Sequence, residues 1–347
     1  SIIPIGVSLM REHLSPHRAA TGVALMSGTM GIGSATGLPL SGVLTKFGGL
    51  GAIFWASAVA SAIFFALTFA VVPRHGSRTG GAFDAVGTVL FTISLTALLL
   101  FISKGGEWGV SSPTTLTTLG VAIVAFSIWI RHQFVTSSPL VDLRSSLSRP
   151  ILTTNVASFF ISVGMFSNYL LTIQEARAPV ESEIGLGLSG LAGGAILIPS
   201  AVAMIVLSPV AARVLVRFGG KTGLVGGAVV ILLAYAFRLV VPGTLLTVVA
   251  GTLAIGIGTT FAFAAMPTLI MDWVESEKAA AANGLNSLIR NLAGAVTTAA
   301  YGFLFVLAPW QADPTYLSRQ GLLLGFAAVC ACSLIGIGVA LSLPRSP

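Results

Sequence analysis

Long apolar stretches recur along the chain, each close to the twenty or so residues that an α-helix needs to cross a bilayer. They fall at 22–43, 50–72, 83–103, 114–134 and 151–173, then at 187–210, 221–241, 245–271, 284–308 and 321–343. Inside hydrocarbon the backbone must satisfy its own hydrogen bonds, which leaves helices or closed barrels. Continuous runs of this length exclude the short alternating strands of a barrel. The pattern therefore predicts an all-α membrane protein, a polytopic helical bundle of about ten complete transmembrane helices. Residues 1–10 read as the end of a further helix, so the chain is expected to begin in mid-structure.

Composition agrees. The 347 residues are 55% hydrophobic and 8% charged, against about 25% charged for a soluble domain. A net charge of +7 raises nucleic acid as a partner, but phosphate binding needs Lys and Arg gathered on one face, and here they are scattered between apolar runs. Sorted by alternating connections, one side carries Arg11, Arg18, Arg74, Arg78, Arg131, Arg144, Arg149, Arg213, Arg217, Lys221, Lys278, Arg290 and Arg345. The other carries only Lys46, Lys104, Arg177, Arg238 and Arg319. This 13-to-5 split assigns the first side, and with it the C-terminal tail, to the cytoplasm. A multi-pass protein of the plasma (inner) membrane is expected, with the lipid bilayer as its principal partner and a monomer as its oligomeric state.

The longest connections, Arg131 to Pro150 and Gln174 to Gly185, are too short to fold into a catalytic lobe, which argues against an enzyme. Cys330 and Cys332 lie in an apolar run at a spacing that turns them to different sides of a helix, as packing residues. His13, His17, His75 and His132 fall in or near cytoplasmic turns. No metal site and no cofactor site follows from either set.

Candidate chemistry lies within the helices. Gly33 and Gly37 form a small-xxx-small pair that permits close backbone approach, and Pro39, followed by Gly42, bends the same helix. Asn155, Ser158, Ser162 and Tyr169 recur at helical spacing with Phe166 near that face. Such a stripe either lines a substrate pathway or forms interhelical hydrogen bonds. Thr259, Phe261 and Met266, with Phe263 and Pro267, suit a lipophilic or cationic substrate through apolar and cation-π contacts, and packing explains them equally. Arg290 sits about two turns into its apolar run, where a charge must snorkel, pair or face water. Asp272 or an upstream carboxylate is its candidate partner. No carboxylate lies deep within a complete span, so an acid that binds a coupling proton is expected in helices upstream of this chain, with Glu175 as a weaker candidate.

The segment Gly33-Ser-Ala-Thr-Gly37-Leu-Pro39-Leu-Ser-Gly42 resembles the antiporter motif of the fifth helix in major facilitator superfamily drug:proton antiporters. Gly49-Leu-Gly-Ala-Ile-Phe54-Trp55 is similar to the start of their sixth helix, and Asp84-Ala-Val-Gly87 with Gly105-Gly-Glu107-Trp108-Gly109 to their seventh. Pro139-Leu-Val-Asp142-Leu-Arg144 resembles the connection into the ninth. The run from Ser208-Pro209 through Arg213, Val216, Arg217 and Gly219 to Lys221 resembles a basic cytoplasmic signature of the second half. Gly284-Leu-Asn286-Ser-Leu-Ile-Arg290-Asn291-Leu-Ala-Gly294 resembles the start of the thirteenth helix. The order and spacing are those of the fourteen-span subfamily, with its first three helices and most of the fourth absent. Leu38, Ser41 and Val216 depart from the proline, glycine and aspartate usual there.

The resemblance implies a major-facilitator-like fold. Residues 1–72 would be the end of an N-terminal helical bundle, 73–138 two linker helices, and 139–347 a C-terminal six-helix bundle. It implies gating or interbundle roles for Arg213, Arg217, Asp272, Arg290 and Asn291. The function it implies is proton-coupled export of amphipathic or cationic drugs, with a small molecule and protons as transported partners. A facilitator or symporter of a small metabolite, or a truncated membrane protein that does not transport, are the alternatives.

Overall fold

The computed structural model describes residues 16–71, 84–109, 111–137, 139–141, 143–241, 243–274 and 279–344, and for much of 16–46 the backbone alone. Nine long helices organise it: α1 (Pro16–Val71), α2 (Ala85–Trp108), α3 (Pro113–Val135), α4 (Arg149–Arg177), α5 (Ile198–Phe218), α6 (Gly220–Val240), α7 (Leu245–Trp273), α8 (Ala279–Leu307) and α9 (Arg319–Leu341). Among the described residues nine segments are long and apolar enough to cross a membrane. They match the expected runs from 50–72 onward. The expected run 22–43 is helical too, as the first part of α1. Between these two runs there is no loop. Helix continues from one into the next through Gly49, whose φ of 67° and ψ of −172° form the only break, a left-handed step that glycine takes without a Cβ clash.

Helix ends follow local chemistry. Ser112 and Ser318 cap α3 and α9 by accepting from Thr115 N and Gly321 N. Thr244 and Thr247 close a reciprocal capping box at the start of α7, satisfying donors that a helix N-terminus leaves unpaired. Where α9 ends, Lys221 Nζ at the start of α6 donates to the carbonyls of Leu341 and Leu343 at 2.7 and 2.5 Å. An ammonium there answers both the orphan carbonyls and the negative end of the helix dipole. That contact puts the α5–α6 turn and the end of α9 on the same side of the bundle.

One core cluster draws on all six helices α4 to α9, with Leu171, Leu215, Ile231, Tyr235, Phe263, Met266, Tyr301 and Phe326 among its members. A close seam joins α6 and α7. A Cβ on Gly227 would lie 2.5 Å from Gly258 O, and one on Gly258 2.5 Å from Gly227 O. Bare backbone at both positions is what lets these helices touch, as small residues do between membrane helices. Outward faces are oily instead: Val206, Leu233, Val240, Leu246, Val306 and Leu324 are all exposed. Over Phe47–Val71 nothing is buried, and Phe47, Trp55 and Phe65 are more than 70% exposed. Such a surface belongs in hydrocarbon rather than water.

Helices α2 and α3 pair through Phe91, whose ring lies 4.8 Å from Trp129 and 6.2 Å from Phe126. Asp84 staples their ends. One carboxylate oxygen accepts from Gly87 N at 2.7 Å and His132 Nε2 at 2.8 Å, the other from Gln133 Nε2 at 2.8 Å and Leu140 N at 3.3 Å. Gln133 Oε1 in turn accepts from Val141 N at 3.0 Å. Burial acts to raise the Asp84 pKa, but the bonds from His132, Gly87, Gln133 and Leu140 outweigh it and hold it down at about 2.

Candidate functional site

Helix α4 lies at the centre of the six-helix core, packed by α7, α8 and α9. Its buried face is polar through most of its length: Thr154, Asn155, Ser158, Ser162, Ser167, Asn168, Thr172 and Glu175. Polar groups in a membrane helix cost free energy unless partnered, so the partners define what the stripe does.

Toward its N-terminal end the stripe bonds to α8. Asn286 Nδ2 donates to Asn155 Oδ1 and Ser158 Oγ, both at 2.9 Å, while Ser158 Oγ donates to Thr154 O at 2.7 Å. Two turns further, Phe166 packs on Gly294, where a Cβ would come within 2.8 Å of the ring. Between these contacts stands Arg290, 8% exposed. Its Nη2 donates to Ser287 Oγ at 3.0 Å and its guanidinium lies 4.9 Å from the centre of the Phe263 ring. Arg290 Nε and Ser162 Oγ are buried without a hydrogen-bond partner.

Toward its C-terminal end the stripe holds an ion pair. Arg238 of α6 donates through Nη2 to Glu175 and through Nη1 to Thr172 Oγ1 at 2.9 Å, and stacks 4.6 Å over Phe326 of α9. Thr172 Oγ1 donates onward to Asn168 Oδ1 at 3.1 Å. Glu175 is 3% exposed and Arg238 6%. Gly243 closes over the carboxylate so tightly that a Cβ there would lie 2.4 Å from Glu175 Oε1. Sequence reasoning placed Arg238 among the charges of the connections and left Glu175 in a loop. Both are interior: Glu175 lies on a helix that runs past its apolar run, and Arg238 lies in the last turn of α6, inside its run.

Of the residues expected to line a pathway, Asn155 and Ser158 serve an interhelical bond and Ser162 is buried beside them. Phe166 and Tyr169 are half-buried against the core. Thr259 donates to Ile255 O of its own helix at 2.8 Å. Met266 is fully buried and Phe261 half-buried, both packed in the core. Gly33 and Gly37 are exposed, and among the described residues nothing lies within 4 Å of a Cβ at either. The side-chain environment of Pro39 and Gly42 lies outside the described residues. Arg213, Arg217, Asp272 and Asn291 are exposed, with Arg217 5.2 Å from the ring centre of Phe218. Arg290 is held by Ser287 and Phe263 rather than by the carboxylate of Asp272. Among the described residues no group of three or more His, Cys, Asp or Glu is placed to hold a metal ion.

The fold and the buried polar stripe define an all-α polytopic membrane protein. No family model matches the chain. It is similar to the multidrug resistance protein Stp of Mycobacterium tuberculosis, 24% identical over 295 residues, which covers 84% of this chain and 53% of that protein. The quinolone resistance protein NorB of Staphylococcus aureus is 30% identical over 280 residues, 77% of this chain and 59% of that protein. The multidrug efflux pump LfrA of Mycolicibacterium smegmatis is 23% identical over 311 residues, 88% of this chain and 60% of that protein. The chain is a homologue of these multidrug resistance and efflux proteins of the major facilitator type, and it spans 53 to 60% of the length of the three relatives.

Proposed function

We propose that this chain forms the greater part of a membrane exporter that moves amphipathic drugs outward at the expense of an inward proton flux. The observation that carries the reading is the match, over 77 to 88% of the chain, to proteins named for multidrug resistance, quinolone resistance and multidrug efflux. The buried stripe on α4 supports it, since polar and ionisable groups inside a membrane bundle mark solute and proton paths. In this reading residues 1–72 end one helical bundle, 73–138 supply two linker helices and 139–347 form the second bundle. The two bundles rock about a site between them. The side carrying the α5–α6 turn and the end of α9 faces the cytoplasm, as the basic residues Arg213, Arg217 and Lys221 favour. The chemistry is translocation rather than catalysis, and the protein acts as a monomer in the lipid bilayer.

Everted vesicles from cells expressing the whole protein test this. An imposed proton gradient should drive an amphipathic dye such as rhodamine B into such vesicles, and nigericin should abolish the uptake. Energised vesicles that accumulate none of several amphipathic dyes, cationic and zwitterionic, would sink the reading. Movement of solute in the same direction as the proton would replace export with symport.

A further inference from the structure

We propose that Arg290 is the anchor of a carboxylate-binding subsite, so that the cargo of this protein is an amphiphile carrying an anionic carboxylate, zwitterions included. The inference rests on the transport reading above and narrows its substrate class. Arg290 lies nine residues beyond the start of the Ala281–Leu307 span, or about 14 Å at the α-helical rise. That is close to the middle of a hydrocarbon layer about 30 Å thick, the depth at which transporter sites are built.

Arg238 shows how this fold neutralises a buried guanidinium, with a carboxylate, a hydroxyl and an aromatic ring. Arg290 has the hydroxyl of Ser287 and the ring of Phe263, but no carboxylate among the described residues. The ion pairs there are Glu175–Arg238 and Asp84–His132. Its surroundings are short of acceptors as well. Asn155 Oδ1 and Ser158 Oγ already accept from Asn286.

Arg238 Nε stays unpaired even beside Glu175, so what sets Arg290 apart is the missing carboxylate together with a second unmet donor at its level. Arg290 Nε is buried and unpaired, and so is Ser162 Oγ. With Asn286 against Asn155 and Ser158, and Gly294 against Phe166, the register of α8 on α4 puts Arg290 level with Ser162. Two unmet donors, one of them cationic, need an acceptor with negative charge. The planar guanidinium fork fits a carboxylate in two-point fashion, which an ammonium does not. Phe263 at this level and Phe166 one turn further along α4 give an aromatic wall, suited to an aryl body behind the carboxylate. A purely cationic solute would meet an unneutralised positive charge here.

Rhodamine B and its ethyl ester share one ring system and differ by a single carboxylate. Binding of each to the purified whole protein in detergent, by equilibrium dialysis, is the test. Rhodamine B should bind about tenfold or more tightly than the ester, the scale of one charged hydrogen-bonded contact. Arg290→Gln should erase that preference, Arg290→Lys should retain part of it, and Ser162→Ala should reduce it about threefold. Equal binding of the two dyes by the unmodified protein overturns the proposal. So does a preference that survives Arg290→Gln, or an equal loss for both dyes, which would make the missing anion a carboxylate of the protein itself. Should Arg290→Gln not fold, the unmodified protein and Ser162→Ala decide. Proton-driven export of the ester with no advantage for the carboxylate defeats this proposal alone. Absence of both binding and export defeats the transport reading with it.

Discussion

Removing Arg238 should be among the most damaging single changes available in this protein. The side chain is 6% exposed and supplies the charged partner of Glu175, a bond to Thr172 and the stack on Phe326. In Arg238→Met the apolar volume is kept, but a carboxylate only 3% exposed is left without a counter-charge. Breaking a buried pair in this way costs about 3–5 kcal/mol. Neutral interhelical hydrogen bonds in membranes average only about 0.6 kcal/mol, so the two mechanisms are separable by size. Glu175→Gln should cost a comparable amount, because it strands the guanidinium. The double variant, with neither charge present, should return to within about 1–2 kcal/mol of the parent. Reversible unfolding in mixed micelles titrated with dodecyl sulfate, followed by far-ultraviolet circular dichroism, measures all three. Single variants that each cost below about 1 kcal/mol and combine additively would mean that water solvates the pair, and the argument from burial would fail.

The Asp84 staple should titrate. Its folded pKa of about 2 lies below the ordinary 3.8, so its contribution is complete above about pH 4 and is lost as pH falls through 2. It is on the order of 1–2 kcal/mol after allowance for solvent screening. Hydrogen exchange at the Gly87 and Leu140 amides should lose protection over that interval, whereas Asp84→Asn should be weakly protected throughout; an identical pH profile in the variant would contradict the assignment. Asn286→Ala should destabilise by about 1 kcal/mol and show coupling to Asn155→Ala in a double-mutant cycle, and strict additivity would refute the bond. Gly227→Val, with backbone 2.5 Å from its new Cβ, should cost at least about 2–3 kcal/mol. Gly226→Val, facing open space, should be neutral in the same unfolding assay. Equal effects would show that α6 and α7 are not in backbone contact.

The spans were legible because lipid imposes one rule on every residue of a run: the reading 221–241 became Gly220–Val240, and 245–271 became Leu245–Trp273. Ends defined by a drop in hydropathy were less secure. Helix α5 continues past the expected limit at 210 through Arg213 and Arg217 to Phe218, since hydrogen bonding does not stop where apolarity does and long basic side chains reach water from a helical backbone. Likewise α4 runs on to Arg177 and takes Glu175 inside with it. The turn expected near Lys46 disappeared because a single left-handed glycine suffices to redirect a helix. Arg290 stood out in the sequence as a charge within an apolar run. Its surroundings did not, since Ser162 and Phe263 come from other helices. Partnerships such as Arg238 with Glu175, 63 positions apart, or Asn286 with Asn155, 131 apart, leave no periodic trace. They arise only when helices are set side by side.

The Gly227–Gly258 seam constrains how this molecule deforms. Main chain resting on main chain has no rotamers to exchange, so α6 and α7 are carried together like fused planks. Sliding must then occur along boundaries lined by side chains, such as the one that Asn286 bridges between α4 and α8, where a hydroxyl or amide can release one neighbour and engage the next.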